Sequence, residues 1–170
     1  MKKTIMGIAF AAAAACGCIA ADAPAPSIHE LIDRQIKALQ AKPEKMKLPP
    51  YLAPEKDFED ACREAAKGGK LVLVSIGREA CGRCQVFYEF LRRGEVKLDP
   101  AKFSLVRLEI DDSSHRSYFF STFTPPDNNL PFVGVMNGDR DALSPCLSGG
   151  HTPAEYQTML KRAAAKTTSR

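Results

Sequence analysis

The sequence predicts an α/β domain with a central mixed sheet flanked by helices, preceded by an additional amphipathic helix. Three observations predict this class. Leu71 to Ile76 is an almost continuous apolar run, which is typical of a strand buried on both faces of a parallel sheet. Segments with helical apolar spacing lie before and after that run. Asn137-Gly138 is a strong hairpin signal and indicates an antiparallel pair of strands.

Composition and charge exclude several classes of protein. Of the 170 residues, 45% are hydrophobic and 26% are charged, which is not compatible with a disordered or collagen-like chain. A chain of this length buries a core without needing metals or dense disulfides. The net charge is +4 without a long basic run, so we expect no nucleic-acid-binding surface.

The N-terminal residues 1–21 have the pattern of a signal peptide. Two lysines precede an uncharged, alanine-rich stretch from Thr4 to Ala21, and small residues follow. This stretch has few Leu or Ile residues and no basic stop, so we expect no stable membrane span after processing. The predicted location is periplasmic or secreted. A lipoprotein anchored through Cys16 or Cys18 is the less favoured alternative.

Residues 22–54 are predicted to form an amphipathic helix and a Pro-rich linker. Ser27 and Glu30 match a capping box, and apolar residues continue at helical spacing to about Ala41. The four prolines that follow indicate an extended linker. The sequence leaves open whether this helix packs on the domain or recruits a partner.

The compact domain is predicted over residues 55–166 and begins with a helix from Phe58 to Ala66. Gly68-Gly69 ends that helix before the central strand. A turn then leads to Cys81-Gly82-Arg83-Cys84 and to a second helix that ends near Gly94.

The rest of the domain is predicted as strand, aromatic helix, antiparallel strand pair and last helix. We expect the aromatic helix to face the core rather than a substrate. Pro145 places the last strand at a sheet edge, and Thr152 with Glu155 matches a second capping box. The predicted ranges are 103–110, 118–123, 132–136, 142–148 and 153–166, with a disordered tail at 167–170.

The order of these elements around Cys81-x-x-Cys84 resembles the thioredoxin superfamily, in particular its exported thioredoxin-like members, over about residues 55–166. The resemblance implies a thioredoxin-like three-layer sandwich. A lone Cys-x-x-Cys also binds zinc or copper, which is a minor alternative here. At a strand-to-helix turn, with an X-Pro and a hairpin further on, the motif indicates redox chemistry.

The start of a helix favours a reactive thiol at Cys81. Two intervening residues bring both sulfurs within disulfide reach, and the helix N-terminus stabilises a thiolate. Arg83 adds positive charge, whereas Glu79 opposes the thiolate. Cys81 is therefore the expected attacking thiol, and Cys84 the more buried resolving thiol.

The resemblance implies further site residues and three departures from the usual pattern. Pro131 is expected to be cis and to face the cysteines, and the backbone of Leu130 is expected to pair with an extended substrate. Ala80 stands where tryptophan is usual, Arg83 where proline is usual, and Ser75 where a buried aspartate is usual. The positive charge of Arg83 and the absence of a buried acid at Ser75 predict a Cys81 pKa below about 7 and an oxidising disulfide. The positions expected to tune the thiols are Gly82, Arg83 and Ser75.

Together these features predict an exported thiol-disulfide oxidoreductase acting on protein or peptide thiols and disulfides, recharged by an unidentified redox partner. No cofactor and no metal are expected. The alternative is a non-catalytic thioredoxin-like binding module whose cysteines form a static disulfide. We expect Cys62 and Cys146 to be free and on opposite sides of the sheet. The three histidines are expected at the surface; they are His29, His115 and His151.

Overall fold

The computed structural model describes residues 27–41, 45–51 and 58–168, so the predicted signal peptide with Cys16 and Cys18 lies outside the described residues. In chain order the described elements are α1 (Ile28–Gln40), α2 (Phe58–Lys67), β1 (Leu71–Gly77), α3 (Gly82–Arg92), β2 (Phe103–Glu109), α4 (Ser113–Thr122), β3 (Phe132–Met136), β4 (Leu147–Ser148) and α5 (Pro153–Thr168).

The four strands form a mixed sheet in the order β2-β1-β3-β4. β1 pairs parallel with β2 and antiparallel with β3, and β4 pairs antiparallel with β3. In this register Leu73 lies between Leu105 and Val135. All seven residues of β1 are buried, as the continuous apolar run predicts for a central strand.

Helices cover both faces of the sheet. Alternate residues of β1 point to opposite faces, so its apolar side chains pack in two separate clusters. Leu71 and Leu73 pack in a first hydrophobic cluster with side chains of α1, α3 and α5. Val72, Val74 and Ile76 pack in a second cluster with α2 and α4. The predicted three-layer α/β sandwich with a central mixed sheet is therefore confirmed.

Hydrogen bonds to side chains cap the starts of α1, α4 and α5. Ser27 and Glu30 exchange the two hydrogen bonds of the predicted capping box at the start of α1. Thr152 and Glu155 do the same for α5. The Asp112 carboxylate accepts two backbone N–H groups of α4, so that helix begins before the predicted aromatic stretch.

The aromatic segment packs mainly on the core, as expected. Phe119 and Phe123 are buried in the second cluster. The Phe123 ring covers Gly134 of β3 so closely that a Cβ at Gly134 would collide with it. Phe120 is 43% exposed, so one aromatic side chain of this helix remains at the surface.

The second antiparallel strand is shorter than the predicted range of residues 142–148. Within that range only Leu147–Ser148 forms a regular strand. The N–H groups of Leu143 and Ser144 both donate to the carbonyl of Val135, at 2.8 and 3.2 Å. Two residues therefore oppose one, and this bulge interrupts the ladder.

The turn after β3 is also longer than a two-residue hairpin. Asn137 N–H donates to the carbonyl of Asp141 at 3.1 Å. Arg140, not Gly138, has the positive φ, at 69°. Gly138 is required for another reason, since a Cβ there would collide with Ala66 of α2. The predicted antiparallel pairing is therefore present, with a longer turn between the two strands.

The structure decides the position of α1, which packs against α3. Leu39 is buried in the first cluster, and Ile32 and Ile36 pack against that cluster. Arg93, at the end of α3, donates from Nη2 to the carbonyl of Gln40 at 3.4 Å. The C-terminal half of α1 is thereby attached to the domain.

The described part of the linker, residues 45–51, contains neither helix nor strand, as its prolines predict. It nevertheless packs on the domain. The N–H groups of Lys45 and Met46 donate to the carbonyl of Arg92 at 2.7 and 3.1 Å. Arg107 donates from Nη1 to the carbonyl of Pro49 at 2.9 Å.

Two local expectations are wrong. α5 continues to Thr168, so residues 167–168 are helical rather than part of a disordered tail. His115 is buried, not at the surface, because its Nδ1 accepts the N–H of Glu109 at 3.1 Å between β2 and α4. In the part of the chain that the structure describes, no helix has the length and apolar character needed to cross a membrane.

Candidate active site

The two cysteines lie at the start of α3, directly after the central strand. Cys81 is the N-cap residue, and its Sγ accepts the backbone N–H of Cys84 at 3.3 Å. Cys81 is half-buried and Cys84 is fully buried. This difference in exposure matches the predicted roles of an accessible attacking thiol and a protected resolving thiol.

The thiols have opposite pKa shifts. The hydrogen bond from the Cys84 thiol, the N–H groups of Cys84 and Arg83, and the Arg83 charge together lower the pKa of Cys81 from 9.0 to about 6, against the effect of burial. The pKa of Cys84 is raised strongly, because its proton is held in the hydrogen bond to Cys81 and its sulfur is buried. One thiolate and one thiol therefore coexist at neutral pH.

Arg83 contributes less to this thiolate than the sequence suggested. Its charge is the smallest of the causes that lower the Cys81 pKa. Its Nη1 donates to Oδ1 of Asn129 at 3.4 Å, so the guanidinium is bound to a group other than the sulfur. The shift has the predicted direction, but its main cause is the Cys84 thiol.

The peptide bond between Leu130 and Pro131 is cis, as the resemblance implied. Gly77, the last residue of β1, lies close to both Pro131 and Cys84. A Cβ on Gly77 would lie 2.8 Å from Cys84 Sγ and 3.9 Å from Pro131 Cβ. The buried sulfur and the proline therefore meet at the side-chain-free end of the central strand.

Gly77 is a site residue that sequence reasoning missed. The sequence assigned it to the turn before the motif. Its signal was a glycine directly after a buried apolar run, which marks a close approach of other atoms to the backbone.

Ser75, two residues before Gly77 on β1, contributes no charge. It is fully buried, and its Oγ shares a hydrogen bond of 3.2 Å with the hydroxyl of Tyr88. Burial raises the pKa of Tyr88, so this hydroxyl stays protonated. The guanidinium of Arg107 lies over the rings of Tyr88 and Tyr51, 4.1 and 4.0 Å from their centroids.

The other two described cysteines lie away from this chemistry. Cys62 and Cys146 are buried in the second cluster, and neither forms a disulfide. The expectation that they lie on opposite sides of the sheet is wrong, because α2 and the segment before β4 pack on the same face. Burial raises the pKa of Cys146 to about 11, which disfavours its thiolate.

The described residues hold no group of three or more His, Cys, Asp or Glu side chains arranged to bind a metal ion. His151 is half-buried, with Nδ1 3.5 Å from the Glu155 carboxylate and Nε2 3.1 Å from the Ser148 carbonyl.

Comparison with known proteins bears directly on this site. A family model described as thioredoxin-like matches residues 53–138, about half of the chain. The matched region runs from α2 to β3 and contains both Cys81 and Cys84 and the cis Pro131. Helix α1 and helix α5 lie outside it. No curated protein gives a significant match.

Proposed function

The chain belongs to the thioredoxin-like family, and on that premise we propose that it is an exported thiol-disulfide oxidoreductase that acts on protein disulfides through Cys81 and Cys84. The observation that carries this proposal is the pairing of an accessible Cys81, whose pKa is lowered to about 6, with a buried Cys84 that keeps its proton. An attacking thiol and a resolving thiol need these opposite properties.

The first step is an attack of the Cys81 thiolate on one sulfur of a substrate disulfide. A bond forms between Cys81 and that sulfur, while the substrate's own S–S bond breaks. The departing substrate sulfur leaves as a thiolate and takes a proton from solvent. Cys81 is then joined to the substrate in a mixed disulfide.

The second step is the attack of Cys84 on the sulfur of Cys81. The Cys84 proton passes to the substrate sulfur that leaves, and the Cys81–Cys84 disulfide forms. Two electrons have then moved from the protein dithiol to the substrate disulfide. When the same two steps run in reverse, two electrons move from a substrate dithiol to the Cys81–Cys84 disulfide, and the substrate is oxidised.

We propose that the oxidising direction is the favoured one. A stabilised Cys81 thiolate stabilises the reduced protein, and this makes the Cys81–Cys84 disulfide a stronger oxidant. A disulfide-bearing redox partner then has to reoxidise the pair after each turnover. An oxidising compartment is consistent with the signal-peptide pattern of residues 1–21.

The cis Pro131 supports the proposed mode of substrate binding. Pro131 and the Cys84 sulfur both lie near Gly77, because a Cβ there would be 3.9 Å from Pro131 Cβ and 2.8 Å from that sulfur, and the neighbouring Leu130 is half-exposed. An extended substrate segment is proposed to pair with that backbone, with its cysteine directed at Cys81. This pairing uses main-chain groups and therefore accepts many substrate sequences.

Turnover of insulin disulfides and of a scrambled disulfide protein tests this function. Cys81→Ser should abolish both activities, and Cys84→Ser should accumulate a mixed disulfide. Ala80→Ser is a matched control, because it adds the same hydroxyl at an exposed neighbouring position. Wild-type activity in Cys81→Ser would overturn the proposal.

The reduction potential separates this function from a static binding module. A working pair should lie between roughly −270 and −120 mV, and a structural disulfide below about −300 mV. Equilibration with glutathione or dithiothreitol buffers gives the value. A potential below about −300 mV would favour the static disulfide.

A further inference from the structure

A groove of about 590 Å³ lies beside the cysteines, between α1 and the chain that leads into α5. Its lining includes the apolar side chains of Phe87 and Tyr156, whose rings are 4.6 Å apart. Ile28 and Ile32 of α1 also line it. Apolar side chains together with a few polar groups are the usual composition of a ligand-binding groove.

The groove adjoins the candidate active site. Arg83, within the Cys-x-x-Cys motif, and Asn129, two residues before Pro131, both line it. Gly149 also lines it and donates its N–H to the carbonyls of Asn129 and Pro131, at 2.7 and 3.0 Å. The groove therefore lies next to the cysteine motif and to the Leu130–Pro131 segment.

Helix α1 approaches the motif itself. A Cβ on Gly82 would lie 2.9 Å from Ile32 Cγ2, so the helix rests on the residue that separates Cys81 from Arg83. The C-terminal half of α1 is attached through the buried Leu39, whereas Ile28 is 54% exposed. The appended helix thus presents apolar side chains beside the reacting thiol.

The charged groups at the rim already have partners among neighbouring residues. The Glu155 carboxylate caps α5 through Thr152 and lies 3.5 Å from His151. The Arg83 guanidinium is bound to the neutral amide of Asn129. A bound molecule would therefore contact mainly the apolar side chains of the groove, which include those of α1.

We propose that this groove binds an extended segment of a protein substrate, with an apolar side chain of that segment against Ile28 and Ile32. The inference rests on the proposed function and names the substrate feature that the site selects. Its support is the position of the groove beside the motif, because Arg83 lines it and the lining residue Ile32 lies against Gly82, the neighbour of Cys81. Small disulfides without an apolar side chain leave these contacts unused.

Peptide binding to the full oxidised protein tests the groove without turnover. Two dye-labelled peptides differ only in carrying Leu or Ser beside a central Ser, which replaces the reactive cysteine. The Leu peptide should bind about tenfold more tightly, as apolar burial predicts. Fluorescence anisotropy gives both affinities.

Ile28→Ser and Leu31→Ser are matched variants for this experiment. Both residues are on α1 with similar exposure, 54% and 49%, but only Ile28 lines the groove. Ile28→Ser should weaken binding of the Leu peptide about fivefold and leave the Ser peptide unchanged. Leu31→Ser should change neither affinity, and the thermal midpoints of both variants should match.

Three results would contradict the proposal that the groove binds an apolar substrate side chain. The two peptides could bind equally well, or Ile28→Ser and Leu31→Ser could have equal effects on binding. The third is a dimer in sedimentation that depends on Ile28 and excludes the peptide. Failure of the proposed function has a different signature. Insulin turnover independent of Cys81, together with Ile28-dependent peptide binding, would remove the redox role and leave the groove. Cys81-dependent turnover without a Leu preference would remove only the groove.

Discussion

Gly77 ends the central strand so close to Cys84 that a Cβ on the glycine would lie 2.8 Å from the cysteine sulfur. A contact this short between a Cβ and a sulfur requires one of them to move. Cys84 is fully buried, which leaves little room for that movement. A residue without a side chain is therefore a condition for the resolving thiol to lie beneath Pro131.

Gly77→Ala should destabilise the reduced protein by about 1–3 kcal/mol, because the added methyl overpacks the site. Urea unfolding measures the change. Gly68→Ala is the control, since the nearest atom to a Cβ there is 3.5 Å away, and it should stay within about 0.5 kcal/mol of wild type. A Gly77→Ala protein as stable as wild type would show that the Cys84 sulfur can move without a loss of stability.

Cys84→Ala should raise the pKa of Cys81 from about 6 towards 9.0, because it removes the thiol hydrogen bond that contributes most to the shift. Arg83→Gln should raise it less, because the guanidinium is bound to Asn129. Thiolate absorbance as a function of pH gives both values. A larger rise in Arg83→Gln than in Cys84→Ala contradicts the assignment.

The stability of the reduced protein should depend on pH through Cys81. Its pKa is about 6 in the folded protein and 9.0 as its ordinary value, so the unfolded chain binds the extra proton between these two limits. The free energy of unfolding should therefore rise as the pH is raised from about 6 to 9. This stabilisation is fully present above pH 9, decreases as the pH falls, and is lost below about pH 6. Urea unfolding of reduced wild type and reduced Cys81→Ser measures the difference. A pH-independent difference contradicts a folded-state thiolate.

Gly82→Ala and Ile32→Ala should be strongly coupled. Alone, Gly82→Ala pushes against Ile32 and costs about 1–2 kcal/mol. With Ile32→Ala the space is open, and the higher helix propensity of alanine makes the same change neutral or stabilising. A double-mutant cycle in urea measures the coupling. Additive effects would mean that α1 does not rest on the motif in solution.

The order of the elements could be predicted from local patterns. Both capping boxes, the buried run of β1 and the spacing of α2 and α3 depend on neighbours along the chain, so the sequence contains the whole signal. The antiparallel pairing after β3 is as predicted, but the length of the turn and of the second strand is not. The bulge at Ser144 and the left-handed Arg140 depend on contacts with β3 and α2, which no local pattern specifies.

Histidine and cysteine placement shows the same limit. The sequence predicts His115 at the surface because its side chain is polar. In the structure it is buried, and its Nδ1 accepts the backbone N–H of Glu109. Cys62 and Cys146 are far apart in sequence and share one face of the sheet. Both outcomes follow from the way distant elements pack, not from local residue preferences.

The sequence by itself determined the α/β class, the position of Cys81 at a helix start, and the direction of its pKa shift, because these follow from chain order and from the polarity of a helix terminus. Only the tertiary structure decided what stabilises that thiolate and what surrounds it. The Cys84 sulfur lies so close to Gly77 that a Cβ there would be 2.8 Å away, and Ile32 of α1 lies so close to Gly82 that a Cβ there would be 2.9 Å away. Such distances depend on the whole core, since close-packed side chains leave each atom few alternative positions.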